Sequence, residues 1–166
     1  MRLILALAAA LSLCACATTS RVDAAGDVHA FLTSVRNSDR AQFERHVDRE
    51  ALKLQIESRI LQEARESDLK DDLKKAAAIL ARPVADLAGS ALIRPSVFRA
   101  AAVTLGYDPA EPLPSQLAIA GFLKGVDRNH VCAVAGRGEP CLFTFERQDG
   151  VWRLIRFEGE LGELEL

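Results

Sequence analysis

The sequence predicts an α+β fold, with N-terminal helices packed on a C-terminal antiparallel meander of about four strands. Three observations lead there. Apolar residues recur at helical spacing from Val28 to Leu105, and after Gln116 the period turns to two. Two turn signals, Gly136-Arg137 and Asp149-Gly150, each separate runs of strand-forming residues. A chain of 166 residues fits a single domain, since domains commonly hold about 100–200.

Residues 1–17 (MRLILALAAALSLCACA) carry one charge, Arg2, and one hydroxyl, Ser12. This is a short positive region followed by an apolar core of secretory length, too short to span a bilayer comfortably. Two processing readings are open. Leu13-Cys14-Ala15-Cys16 is similar to a bacterial lipobox, which makes Cys16 the lipidation site and 1–15 a lipoprotein signal peptide. Ala15-Cys16-Ala17 also reads as an ordinary A-x-A cleavage site, releasing a soluble periplasmic chain from Thr18. The lipoprotein reading is preferred, because a thiol ending the apolar core is what acylation needs. Residues 16–26 then form a tether, and the resemblance to bacterial lipoproteins implies, from Ala17 rather than Asp after the cysteine, the outer membrane of a Gram-negative envelope. Without its first 15 residues the chain has 151, a formal charge of −3, and roughly 45% apolar residues, near the globular average. That balance excludes intrinsic disorder and a polyanion-binding role, so no nucleic acid partner is expected.

The expected domain spans 27–158, helical over 27–105 and sheet over 117–158. Val28, Phe31, Leu32 and Val35 make an amphipathic stripe, with Asp23 as a plausible helix start. Asp39 with Gln42 resembles a capping box for a short helix that turns Phe43 and Val47 inward. Asp48 can cap a long helix with Leu52, Ile56 and Ile60 on one face. Leu69, Leu73, Ala76, Ala77 and Leu80 continue helical spacing to Arg82-Pro83, where proline should break or kink the run. After Arg94-Pro95, Phe98, Ala101, Ala102 and Leu105 form another stripe, ended by Gly106. Residues 106–116 hold three prolines and read as a hinge. The run from Arg36 to Lys75 holds ten basic and ten acidic residues, a solvated helix face.

Strands are expected at 117–123, 130–135, 141–148 and 151–158. Centred on Gly136-Arg137, the first hairpin sets Cys132 opposite Cys141, within disulfide reach. In an oxidising compartment this pair should form a structural disulfide. Free thiols, or a metal site with His130, are the alternatives, the latter lacking a fourth ligand. Asp149-Gly150 should pair Arg147 with Trp152, Phe145 with Leu154 and Phe143 with Arg156. One face then carries Val134, Phe143, Phe145, Trp152, Leu154 and the cysteines, and is expected to pack on the helices. The other carries Val131, Leu142, Ile155 and Phe157, with Thr144 and the Glu146–Arg153 pair. Leu142, Ile155 and Phe157 form a second small core or a docking patch. Residues 159–166 read as an acidic tail.

The early segment DVHAFLTSVRNSDRAQFERHVD, the stretch ALIRPSVFRAAA, GFLKGVDRNHV leading into a strand, and the ending FERQDGVWRLIRF together give a resemblance over about residues 27–158. The chain resembles a bacterial family known only as a domain of unknown function. Its members are small exported or membrane-anchored proteins of the nuclear-transport-factor-like, or cystatin-like, superfamily. The resemblance implies that fold and supplies no activity. Arg94-Pro95-Ser96 departs from it, where a threonine or similar cap is expected before the proline.

Some relatives in that superfamily are isomerases or dehydratases that use a carboxylate or histidine with a tyrosine. Here the tyrosine is Tyr107, read as a turn-packing ring, and His130, placed beside Phe143, is the sole acid/base candidate. His29 and His46 are expected on the surface, and Asp108 in a turn. No catalytic motif of known spacing occurs. The chain is therefore expected to be a non-catalytic binding or assembly module. It should have no cofactor or metal, reach the membrane through its anchor, and engage an envelope protein or a second copy. A small-ligand carrier, with an apolar cavity between helices and sheet, is the alternative.

Overall fold

The computed structural model describes residues 2–104, 106–134, 136 and 138–158, with side chains from Ser20 onward. Among the described residues six helices precede four strands: α1 (Arg2–Asn37), α2 (Arg40–Arg45), α3 (Arg49–Glu66), α4 (Asp71–Leu92), α5 (Pro95–Thr104), α6 (Gln116–Phe122), β1 (Leu123–Gly125), β2 (His130–Val134), β3 (Cys141–Gln148) and β4 (Val151–Phe157). The strands form one antiparallel sheet in sequence order. The fold is α+β, as the change of period predicts.

The core is the seam between α1 and the sheet. Ala24, Ala25, Val28, Phe31 and Val35 of α1 meet Leu123, Val131, Phe145, Trp152 and Leu154, with Phe43, Val47, Leu52 and Ile93 closing the sides. Phe31 is the hub of an aromatic cluster, 5.7 Å from Phe43, 5.9 Å from Phe98 and 6.0 Å from Phe145 between ring centroids. Such tilted and edge-on contacts add to the area term. The start of the packed body lies earlier than residue 27. Ser20, Ala24 and Ala25 are helical and buried, so residues 20–26 are part of α1 rather than a tether. Positions 24, 28, 31 and 35 are one stripe, and the small alanines at its upper end carry little apolar signal.

The caps expected at Asp39 and Asp48 hold, whereas Asp23 lies inside α1 rather than at a helix start. Asp39 accepts from the Gln42 N–H and Asp48 from the Ala51 N–H, satisfying first-turn donors of α2 and α3. Pro95 opens α5 at its first position, and Gly106 takes φ 94° just past its end. Two further expectations fail. Pro83 does not end its helix; α4 runs for 22 residues with Pro83 on its exposed side. Its packing on α3 through Ala81 and Ala85 outweighs the missing backbone bond. Residues 117–123 are mostly helix, because Ser115 caps α6 by accepting from the Ala118 N–H, leaving only Leu123 for β1. There is no alternation to suit a strand: Ile119 is buried while Leu117 lies open.

The Asp149-Gly150 turn has both residues at positive φ, 52° and 82°, as a tight primed turn requires. Arg147 pairs with Trp152 and Phe145 with Leu154 as expected. A bulge then shifts the ladder, so that Phe143 opposes Phe157 rather than Arg156, with Ile155 as the extra residue. In the first hairpin Cys132 opposes Thr144, not Cys141, and Val134 opposes Cys141. Leu142 is the extra residue there. Face assignments change as a result. Val131 registers with Phe145 and joins the core; Cys132 lies on the opposite face from Phe145; Phe157 registers with Phe143 and packs against the core. Bulges reverse face parity without leaving any mark in residue type, which is why alternation alone misassigns them.

The open edge of β4 is covered along its length. Trp152 N–H donates to Asp27, Leu154 N–H to the His46 carbonyl, and Phe157 N–H to Gln55. Asp48 N–H donates in turn to the Leu154 carbonyl, and Arg59 to that of Phe157. A strand so occupied offers no free ladder for another chain.

Candidate functional site

The α3–α4 hairpin is built from opposed residue sizes. The inward face of α4 is small: Ala81, Ala85 and Gly89, four apart, lie on one line and are buried. A Cβ on Gly89 would sit 2.5 Å from Cγ of Lys53 on α3, so only glycine admits this approach. Arg49, at the start of α3, donates to the carbonyls of Gly89 (3.3 Å) and Ile93 (2.8 Å) and is paired with Glu44. It thereby places positive charge at the carbonyls that end α4. Arg82 reaches Glu50, Glu57 and Asp86, and Lys53 reaches Glu50 and Asp86. Hydrogen bonds to Glu57 and to Glu50, respectively, lead the causes that hold both cations above their ordinary pKa.

The other face of α4 is apolar and open. Leu73, Leu80 and Leu87, seven residues apart, are 54%, 55% and 74% exposed. Ile79 and Val84 lie exposed beside them. Leu73 and Leu80 keep the helical spacing read from the sequence and lie on this open face, because α3 takes the small-residue face instead. Large exposed apolar patches on a soluble domain mark interaction sites. Among the described residues no single helix is long and apolar enough to cross a membrane; α4 with α5 passes by composition only as a pair bent by 76°.

A cleft of about 610 Å³ opens at the other end of the hairpin, lined by Arg40, Glu44, Arg49, Arg94 and serines 38, 90 and 96. It contains no sheet residue. All three of its cations are engaged: Arg40 with Glu44 at 3.8 Å, Arg49 as above, and Arg94 with the Ser90 carbonyl.

The histidines fall differently from their expected places. His130 opposes Glu146, not Phe143, and its ring lies between Asp127 (2.9 Å) and Glu146 (3.5 Å). Asp127 also accepts from the backbone N–H groups of Asn129 and His130, and the Asn129 bond leads the causes that keep its carboxyl below the usual range. The cluster locks the turn before β2 and is open to solvent. His46 is only 3% exposed, not a surface residue. Its Nδ1 has no hydrogen-bond partner among the described residues and lies 3.8 Å from Asp27. Burial lowers its pKa, against the pull of Asp27 and a backbone bond at Trp152.

Asp108 makes the expected turn, accepting from the Ala110 N–H. Tyr107 is half-buried with its hydroxyl covered. Cys132 and Cys141 form a disulfide, their Cα atoms 5.5 Å apart. Leu142 and Ile155 sit half-buried at the two bulges, while Phe157 lies under the Arg59 guanidinium at 5.2 Å and bonds through its backbone to Gln55. The three are therefore not gathered on one open face. The Cys16 side chain and the tail 159–166 lie outside the described residues. No group of three His, Cys, Asp or Glu side chains placed to hold a metal occurs among those described.

The feature that sequence reasoning missed is the open face of α4. Its signal was present in the leucines at seven-residue spacing and in the small residues at 81, 85 and 89 on another side of the helix.

The model of a family described as protein of unknown function (DUF2939) matches residues 8–101, and the chain belongs to that family. The match covers the helical half through most of α5 and ends before the sheet. No curated protein and no solved structure matches the chain.

Proposed function

We propose that this DUF2939 member is an exported envelope protein, lipid-anchored at Cys16, that acts as a non-catalytic binding or assembly module. The observation that carries the binding role is the exposed leucine face of α4, held in place by the Arg49 clamp and the small-residue seam with α3. A helix held this firmly presents its apolar face at little entropic cost on binding. Export is supported by the apolar leader with its single Arg2 and by the Cys132–Cys141 disulfide, since such bonds persist in oxidising compartments. In this reading Ser20, already buried, is four residues from the acylated cysteine, and the domain rests close to the membrane surface.

Two measurements test the proposal. Mass spectrometry of the mature N-terminus should find acylated Cys16, and a chain beginning at Thr18 would replace the anchor with soluble export. Affinity capture from crosslinked envelopes should recover a specific partner or a second copy with the unaltered chain but not with Leu80→Asp/Leu87→Asp. Equal recovery by both would remove α4 as the binding face.

A further inference from the structure

We infer that the α4 face is occupied by a second copy of this chain, with the two α4 helices antiparallel and centred on Leu80; this rests on the binding-module reading above. Leu73, Leu80 and Leu87 repeat at seven residues, the period of a helix–helix seam rather than of a helix lying on a flat surface. About Leu80 the stripe complements itself when reversed: Leu80 meets Leu80, Leu73 meets Leu87, and Ala76 meets Val84. Each small residue faces a larger one.

Charge selects the antiparallel sense. A parallel pair would stack Asp71 and Asp72 on their own equivalents, Lys74 and Lys75 on theirs, and align the helix dipoles. Reversal separates all four and opposes the dipoles. The helix carries three acidic and three basic residues, so it has no basic excess to hold it on an anionic lipid surface. Size also suits a pair. A 22-residue helix is about 33 Å long, and two laid along each other remove on the order of 1,000 Å² from water, where specific interfaces begin. The covered edge of β4 leaves sheet extension through that edge unavailable to a second copy.

The test uses the full chain in its native membranes, with single cysteines added on α4 under mild oxidation. Leu80→Cys should crosslink to itself. Leu73→Cys should not, but should link to Leu87→Cys on a co-expressed copy at least tenfold more than to itself. Leu80→Asp combined with Val84→Asp should reduce dimer capture by chemical crosslinking at least tenfold, while in dilute detergent solution, where both chains are monomeric, the unfolding midpoint stays that of the parent, since these side chains are exposed in the single chain. Self-linking of Leu73→Cys would overturn the antiparallel arrangement. A chain that stays monomeric would overturn the second copy altogether. If such a monomer still loses capture of another envelope protein on the Asp substitutions, the binding-module reading stands and only this inference falls; if capture is unchanged, both fall.

Discussion

Asp27 on α1 accepts the backbone N–H of Trp152 at 2.9 Å, while Asp23, one turn earlier, accepts the indole N–H of the same residue at 2.9 Å. Two carboxylates at i and i+4 thus hold both donors of one buried residue on an edge strand. The pair fixes the angle of α1 across the sheet and closes the edge of β4 where it leaves the turn. It also makes Asp23 and Asp27 structural residues within α1.

Asp27→Ala should therefore lower stability by roughly 1–3 kcal/mol, the cost of leaving a buried donor unsatisfied. Asp27→Asn keeps an acceptor and should lose less. Urea unfolding followed by tryptophan fluorescence reads both, since Trp152 is the sole tryptophan. Equal stability of Asp27→Ala and the parent would show that water replaces the carboxylate.

His46 gives a pH dependence of defined sign. Its folded pKa lies below the ordinary value of about 6.5, so below that pH the unfolded chain takes up a proton that the folded chain refuses. Stability is insensitive to this group above the unfolded pKa, declines as pH falls below it, and levels off once the folded pKa is passed. His46→Gln should flatten that part of the profile, measured as urea midpoint against pH. A variant with the parent's slope would assign the effect elsewhere.

Arg49→Ala removes donors from the Gly89 and Ile93 carbonyls and leaves Glu44 with only the more distant Arg40, at 3.8 Å. A loss of roughly 2–3 kcal/mol is expected, as for hydrogen bonds to charged groups. Arg49→Lys should recover only part, because an ammonium cannot reproduce the planar fork. Hydrogen exchange should localise the loosening to the end of α4; uniform loss of protection would contradict a local clamp.

Reducing the Cys132–Cys141 disulfide opens a short loop between β2 and β3. The double Cys→Ala variant should be less stable by roughly 2–3 kcal/mol on the chain-entropy account, with the fold retained because Val131 and Phe145 still pair in the core. Denaturant midpoints with and without reductant give the value. A parent insensitive to reductant would show the bond to be energetically neutral.

By itself the sequence determined the fold class, the caps at Asp39 and Asp48, the Asp149-Gly150 turn and the pairing of the two cysteines. All of these rest on interactions between residues a few positions apart, where residue type dictates geometry. Tertiary structure decided which way amphipathic stripes face, and this is where local reasoning lost the site. The spacing of Leu73 and Leu80 marks a helix without saying which way it faces; Ala81, Ala85 and Gly89 allow α3 a closer approach and leave the leucines turned out. In the same way, bulges at Leu142 and Ile155 reversed the faces of Cys132 and Phe157, and contacts over more than a hundred residues drew Asp23 and Asp27 to Trp152 and buried His46. A stripe's period can be read along the chain; the partner that covers it is chosen by whichever surface fits most closely in three dimensions.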